Sequence, residues 1–168
     1  MTSTSVTRAA ALREAFCARL KAAIPDIIAR WETEVRRAPW DSLSDVDRID
    51  HLPAYLDALI DWCFCLSEDA RHAKRFVDTA AQHGVQRRDL NLDYDIIMEE
   101  SAALRRAIWS VAAPTFEDRY DMVSIDSALT VGLMASLRGY AKPELTQNGQ
   151  WEAGLARLAA DWSYTLAR

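Results

Sequence analysis

His83 and Arg87 stand four residues apart, so in a helix their side chains share one face. Asn91 follows, a residue that takes a left-handed turn more cheaply than most, and such a turn folds the next segment back antiparallel. Counted from that turn, His83 lies about as far before it as Glu100 lies after it. The three side chains are therefore expected to be level. A carboxylate on the buried side of a helix pair needs partners, and Arg87 or a charged His83 supplies them. The spacing predicts a polar latch of His83, Arg87 and Glu100 at a helix–helix contact. Such a latch either fixes the angle of the hairpin or switches the domain with pH through His83.

Other chemistry is sparse. The histidines are His51, His72 and His83, and no two make an H-x₃-H or H-E-x-x-H pattern, so no metal site is assigned. There is no Gly-rich phosphate loop and no nucleophile elbow, so no catalytic residue is assigned either. A lone histidine on a helix reads first as a surface or hydrogen-bonded packing residue. The competing reading makes His51 or His72 a haem ligand in a globin-like bundle. Trp31, Trp62 and Trp109 fall on apolar helical stripes. They either fill the core or line a pocket for an apolar ligand. Cys63 and Cys65 are two apart within a helical pattern and Cys17 is alone, which fits core thiols in a reducing compartment.

The elements that hold these residues follow from helical spacing, because no segment alternates cleanly enough to be a strand. The first helix begins near Thr7 and carries Leu12, Phe16, Leu20, Ile24, Ile27 or Ile28, Trp31 and Val35; Pro25 demands a kink or a new helix. Ala38 to Ser42 reads as a loop. Ser44, with Asp47 three residues on, caps a helix in which Pro53 marks a bend or the start of the regular part. Ser67-Glu68-Asp69 starts a helix that reaches about Arg88. Asp93 caps the next one, Tyr94 to Ala112, and Pro114 stops it. A further helix, from Thr115 to about Tyr140, is apolar around much of its girth: Met122, Val123, Ile125, Leu129, Val131, Leu133, Met134 and Leu137. Such a helix is either central or shared with a second subunit. The last helix, over 150–167, carries a narrow stripe from Trp151 to Leu166 that resembles a pairing seam. These two helices predict a homodimer.

The whole chain, 1–168, reads as one all-α domain, a helical bundle of about six or seven helices. Half of it is hydrophobic and 27% charged, which is too apolar for disorder. A formal charge of −5 does not suit nucleic acid, and the basic pairs Arg36-Arg37 and Arg87-Arg88 read as solvated helix faces. The polar start, Met1 to Arg8, lacks a signal-peptide core, and no stretch reaches the ~20 apolar residues of a membrane span. The expectation is a cytoplasmic protein without membrane contact.

Several segments carry a family resemblance. His83-Gly84-Val85-Gln86-Arg87, then Asn91-Leu92-Asp93, then Glu100 to Ile108 with Leu104-Arg105 resemble the central motif of the N-terminal sensor domains of RsbR-type co-antagonist proteins. Similar domains stand in front of bacterial sensor histidine kinases. Arg30-Trp31 with Val35-Arg36, and Asp50-His51-Leu52-Pro53 before Leu56, match the flanking segments, so the resemblance spans about 27–140. It adds Arg105 to the signalling cluster of His83, Arg87 and Glu100. Asn91 stands where the family has Gly, and Ser101 replaces a frequent aromatic residue. The family continues into a kinase core or an anti-sigma-antagonist-like output domain, and the sequence to Arg168 carries neither. The resemblance implies a sensory domain without catalysis or cofactor, either cut out of a longer chain or standing alone. It would relay a signal by contact with a histidine kinase or an anti-sigma-antagonist-type partner, on a globin-like fold without haem. The alternative is a globin-like protein that binds haem or another small ligand.

Overall fold

The computed structural model describes residues 3–35, 39–49, 51–64, 70–115 and 119–142. The expected C-terminal helix over 150–167, the start signal at Ser67-Glu68-Asp69, the pair Arg36-Arg37 and Cys65 lie outside the described residues. Within them the architecture is all-α, with no strand. The order is α1 (Ser3–Ala22), α2 (Ile24–Val35), a 3₁₀ turn (Trp40–Ser42), α3 (Asp45–Ile49), α4 (Leu52–Phe64), α5 (Ala70–Asp89), α6 (Tyr94–Ala112), a 3₁₀ turn (Ala113–Thr115) and α7 (Arg119–Ala141). No helix among the described residues is long and apolar enough to cross a membrane.

Proline and capping chemistry set the breaks. Pro25 opens a new helix rather than kinking one, in the first turn of α2 where its missing N–H costs nothing. Ahead of it, Ala23 N bonds both Arg19 O and Leu20 O at 3.1 Å, which tightens the last turn of α1. Ser44 makes its box with Asp47: the Asp47 amide donates to Ser44 Oγ at 3.1 Å, and Ser44 Oγ donates to Asp47 Oδ2 at 2.6 Å. The helix it starts is short. α3 ends at Ile49, and α4 begins at Leu52 with Pro53 in its first turn, so one expected helix is two. Asn91 takes φ 54°, and Leu92 N closes the turn on Arg87 O at 3.0 Å. Asp93 occupies the N-cap of α6 in an extended conformation, but its side chain makes no capping bond, contrary to expectation.

Small residues decide the packing of the centre. α5 makes its broadest contact with α7. A Cβ on Gly84 would fall 1.8 Å from Ser136 O, and one on Gly139 would fall 2.1 Å from Ala81 O. The two backbones therefore touch, and Ser136 Oγ lies 2.8 Å from Ala80 O of α5 and donates toward it. Tyr140 Oη donates to Leu92 O at 2.9 Å and ties the end of α7 to the α5–α6 turn. α4 lies across α5 and α7, α2 packs on α6, and α1 covers α4. α1 is held by an edge-on contact of Phe16 with Phe64, centroids 5.0 Å apart. Lys21 adds ion pairs to Asp57 and Asp61 at 2.9 and 2.6 Å, and Arg75 of α5 reaches the same two acids.

Candidate functional site

Two helices and a turn meet at one carboxylate. Glu100, in the second turn of α6, is 4% exposed, and Arg87, in the last turn of α5, is 1% exposed. Arg87 Nε lies 3.0 Å from both carboxylate oxygens and Nη2 lies 2.9 Å from Oε1. His83, one turn earlier on α5, places Nε2 3.0 Å from Oε2. An ionised carboxylate only accepts, so His83 carries a proton on Nε2. Trp40 Nε1 donates to Oε1 at 2.9 Å. Trp31 Nε1, from α2, donates to the backbone carbonyl of Glu100 at 3.2 Å.

Arg87 is also fully used. Nη1 donates to Asp47 O at 2.7 Å and to Gln86 Oε1 at 2.8 Å, and Nη2 donates to Arg48 O at 3.0 Å. Asp47 and Arg48 sit in the short α3, whose final carbonyls have no helical N–H to meet. Arg87 caps them. One guanidinium therefore joins α3 to α5 and α6. Burial pushes the Glu100 carboxyl up, but His83 and Arg87 beside it outweigh that effect and hold it below the usual glutamate range.

The structure brings His83, Arg87 and Glu100 together where their spacing placed them. It corrects three other assignments. Arg105 is not in the cluster: its Nε pairs with Asp126 of α7 at 2.9 Å on the outer side. It is five residues from Glu100, which turns it roughly 140° around the helix. Arg87 is not a solvated residue of a basic run, although Arg88 beside it pairs with Asp89 near the surface. The three tryptophans do not share a pocket. Trp31 lies beside Glu100, Trp62 stacks on Phe76 with centroids 5.1 Å apart, and Trp109 sits nine residues along α6, about 13 Å away along its axis. Trp40 was missing from the sequence-based cluster. It falls in the expected loop over Ala38 to Ser42, and its bond to Glu100 spans 60 residues, beyond any local pattern.

Beside the cluster lies a cavity of about 40 Å³. It is lined by His83, Arg87, Glu100, Trp31 and His51 together with apolar side chains that include Leu104 and Leu133. Arg87, His83 and Trp40 already fill the acceptor positions of the Glu100 carboxylate. Ser136, another wall residue, donates toward main-chain carbonyls. No group of three or more His, Cys, Asp and Glu suited to a metal occurs among the described residues. Comparison of the chain with protein-family models, curated proteins and solved structures gives no match.

Proposed function

We propose that the chain is a non-catalytic sensory domain of a bacterial stress-response or two-component system, and that it relays its signal by protein–protein contact. The observation that carries this reading is the Glu100 cage. A buried carboxylate held by donors from α5 and the Trp40 turn, on a residue whose main-chain carbonyl accepts from Trp31 of α2, lies next to a cavity and couples the state of that cavity to the positions of several helices. The resemblance of the His83–Arg87 and Glu100–Arg105 segments to RsbR-type sensor domains supplies the biological setting. The same reading places the protein in the cytoplasm and makes it a homodimer, in contact with a histidine kinase or an anti-sigma-antagonist-type output. Met122, Val123 and Met134, exposed along α7, support the dimer.

The alternative, a globin-like small-ligand protein, draws on the same cavity. Its size favours a ligand far smaller than haem, since about 40 Å³ is well below the few hundred Å³ of a pocket for a drug-sized molecule. The test is Glu100→Gln in the source organism, with protein level and stress-gene output measured together. The expected result is an output per molecule of protein that differs from that of the natural protein, beyond what the fall in protein level accounts for. An unchanged output per molecule would remove the sensory reading.

A further inference from the structure

We propose that α3 is a gate to the cavity beside Glu100, latched shut by the Arg87 guanidinium. The proposal goes beyond the sensory reading and stands whether or not the chain relays a signal.

The cavity wall has two kinds of part. Trp31 of α2, Tyr55 of α4, and Ile97 and Leu104 of α6 are buried core residues. Arg48 and Ile49 of α3, with His51 and Leu52 just after it, supply another part. α3 has five residues, too few to hold a helix without outside support. Its apolar side chains give little: Val46 is 80% exposed, and neither it nor Ile49 joins the hydrophobic core. The core is met again on either side, where Leu43 and Leu52 pack against it. None of the broad contacts between helices involves α3.

What holds α3 is therefore polar. Much of it is internal: Ser44 makes its box with Asp47, and Arg48 donates to Asp45 and to Leu43 O. Such bonds travel with the segment when it moves. Among the described residues, two ties reach another helix. Arg48 Nη2 lies 3.4 Å from Glu32 of α2, a long contact. Arg87 Nη1 donates to Asp47 O at 2.7 Å, and Nη2 donates to Arg48 O at 3.0 Å. Glu100 pins the same guanidinium through Nε and Nη2, so Arg87 stays with α5 and α6 when α3 leaves. The freed carbonyls are met by water, and little apolar surface is lost, so the opening is local and cheap.

Hydrogen exchange read amide by amide in low urea tests the latch. The Arg48 amide, bonded to Ser44 O at 2.9 Å, is expected to exchange through an opening that urea hardly accelerates. The amide of Leu129, in the core part of α7, is expected to exchange through global unfolding. Arg87→Lys keeps a charge for Glu100 but gives up the fork that also reaches two carbonyls. It should speed exchange at Arg48 about tenfold more than at Leu129. Glu32→Gln is milder and leaves the Glu100 cage intact; it should speed Arg48 exchange about threefold and leave Leu129 unchanged. A thiol tests the gate. Leu104→Cys puts a sulfur in the cavity wall, and its alkylation by iodoacetamide is followed by mass on the peptide that carries residue 104. Adding Glu32→Gln should raise that rate by the same factor as the Arg48 exchange. Arg48 exchange that follows urea as Leu129 does means that α3 has no opening of its own. Arg87→Lys that speeds both amides equally means that Arg87 is no latch. Alkylation indifferent to Glu32→Gln means that α3 opens without opening the cavity. Any one of these three results overturns the proposal.

Discussion

At the level of single residues, Glu100 is the side chain whose removal reaches furthest. Every group around its carboxylate is a donor: Arg87, His83 and Trp40. Glutamine there offers an amide nitrogen where only acceptors fit. Glu100→Gln is therefore expected to cost ~3–5 kcal/mol in urea unfolding, because it leaves a buried guanidinium half paired. A loss under about 1 kcal/mol, the scale of an exposed pair, would contradict the burial argument. The same carboxyl gives a pH dependence with a definite sign. Its folded pKa lies below the reference value of 4.5, so the unfolded chain binds the proton more tightly. This stabilisation is complete above the reference value and drains away as pH falls through the lower folded value. Stability measured from pH 6 downward should fall more steeply for the natural protein than for Glu100→Gln. Parallel curves would show that Glu100 contributes nothing to the acid limb. The cluster was largely legible in the sequence, because the four-residue step from His83 to Arg87 and the turn at Asn91 are local facts. Trp40 was not, since its partner is far along the chain. Arg105 falls outside the cluster because a place in a motif does not carry the angle on the helix, and five residues turn it away from Glu100.

At the level of elements, α5 and α7 define the frame through glycine. The Cβ of Gly84→Ala would strike backbone, Ser136 O at 1.8 Å, and backbone cannot rotate away. The helices must separate, and His83, the preceding residue, moves with them. Gly132 is also close-packed, but the nearest atoms are the Tyr55 hydroxyl at 2.0 Å and the Phe76 ring, which are side chains. Gly84→Ala is expected to destabilise by ~3 kcal/mol or more and Gly132→Ala by less, the usual scale for overpacking. Equal losses in denaturant titrations would mean that α5 and α7 part as easily as the side chains turn. Most element limits were readable from prolines and caps: Pro25 opens α2, Pro53 opens α4, and Pro114 follows α6. What no local rule contains is how α3 is finished: Arg87 caps the carbonyls of Asp47 and Arg48 from another helix. Gly84 was visible in the motif, but its reason, the close approach of α7, is tertiary.

At the level of the whole molecule, the apolar girth of α7 divides into two parts. Ile125, Leu129 and Ala135 are buried against the rest of the bundle. Met122, Val123 and Met134 remain 42%, 43% and 56% exposed, and Met98 on the neighbouring α6 is 48% exposed. The pairing of Arg105 with Asp126 ties together α6 and α7, the two helices that carry these residues. Scattered single apolar residues need no explanation, but several on adjoining helices suit a contact with a second copy. Methionine suits it too, because its flexible thioether adapts to an opposing surface. Light scattering coupled to gel filtration at tens of micromolar is expected to give twice the 18.9 kDa chain mass. Met134→Glu would put a charge in the middle of that contact and should shift the mass to one chain with helicity unchanged. A natural protein that runs as a single chain would remove the dimer, and a Met134→Glu protein that stays paired would move the contact away from α7. Because Glu100 sits on the same helix as Met98, two residues from it and five from Arg105 of the Arg105–Asp126 pair, a contact there would feel any change in the cage directly.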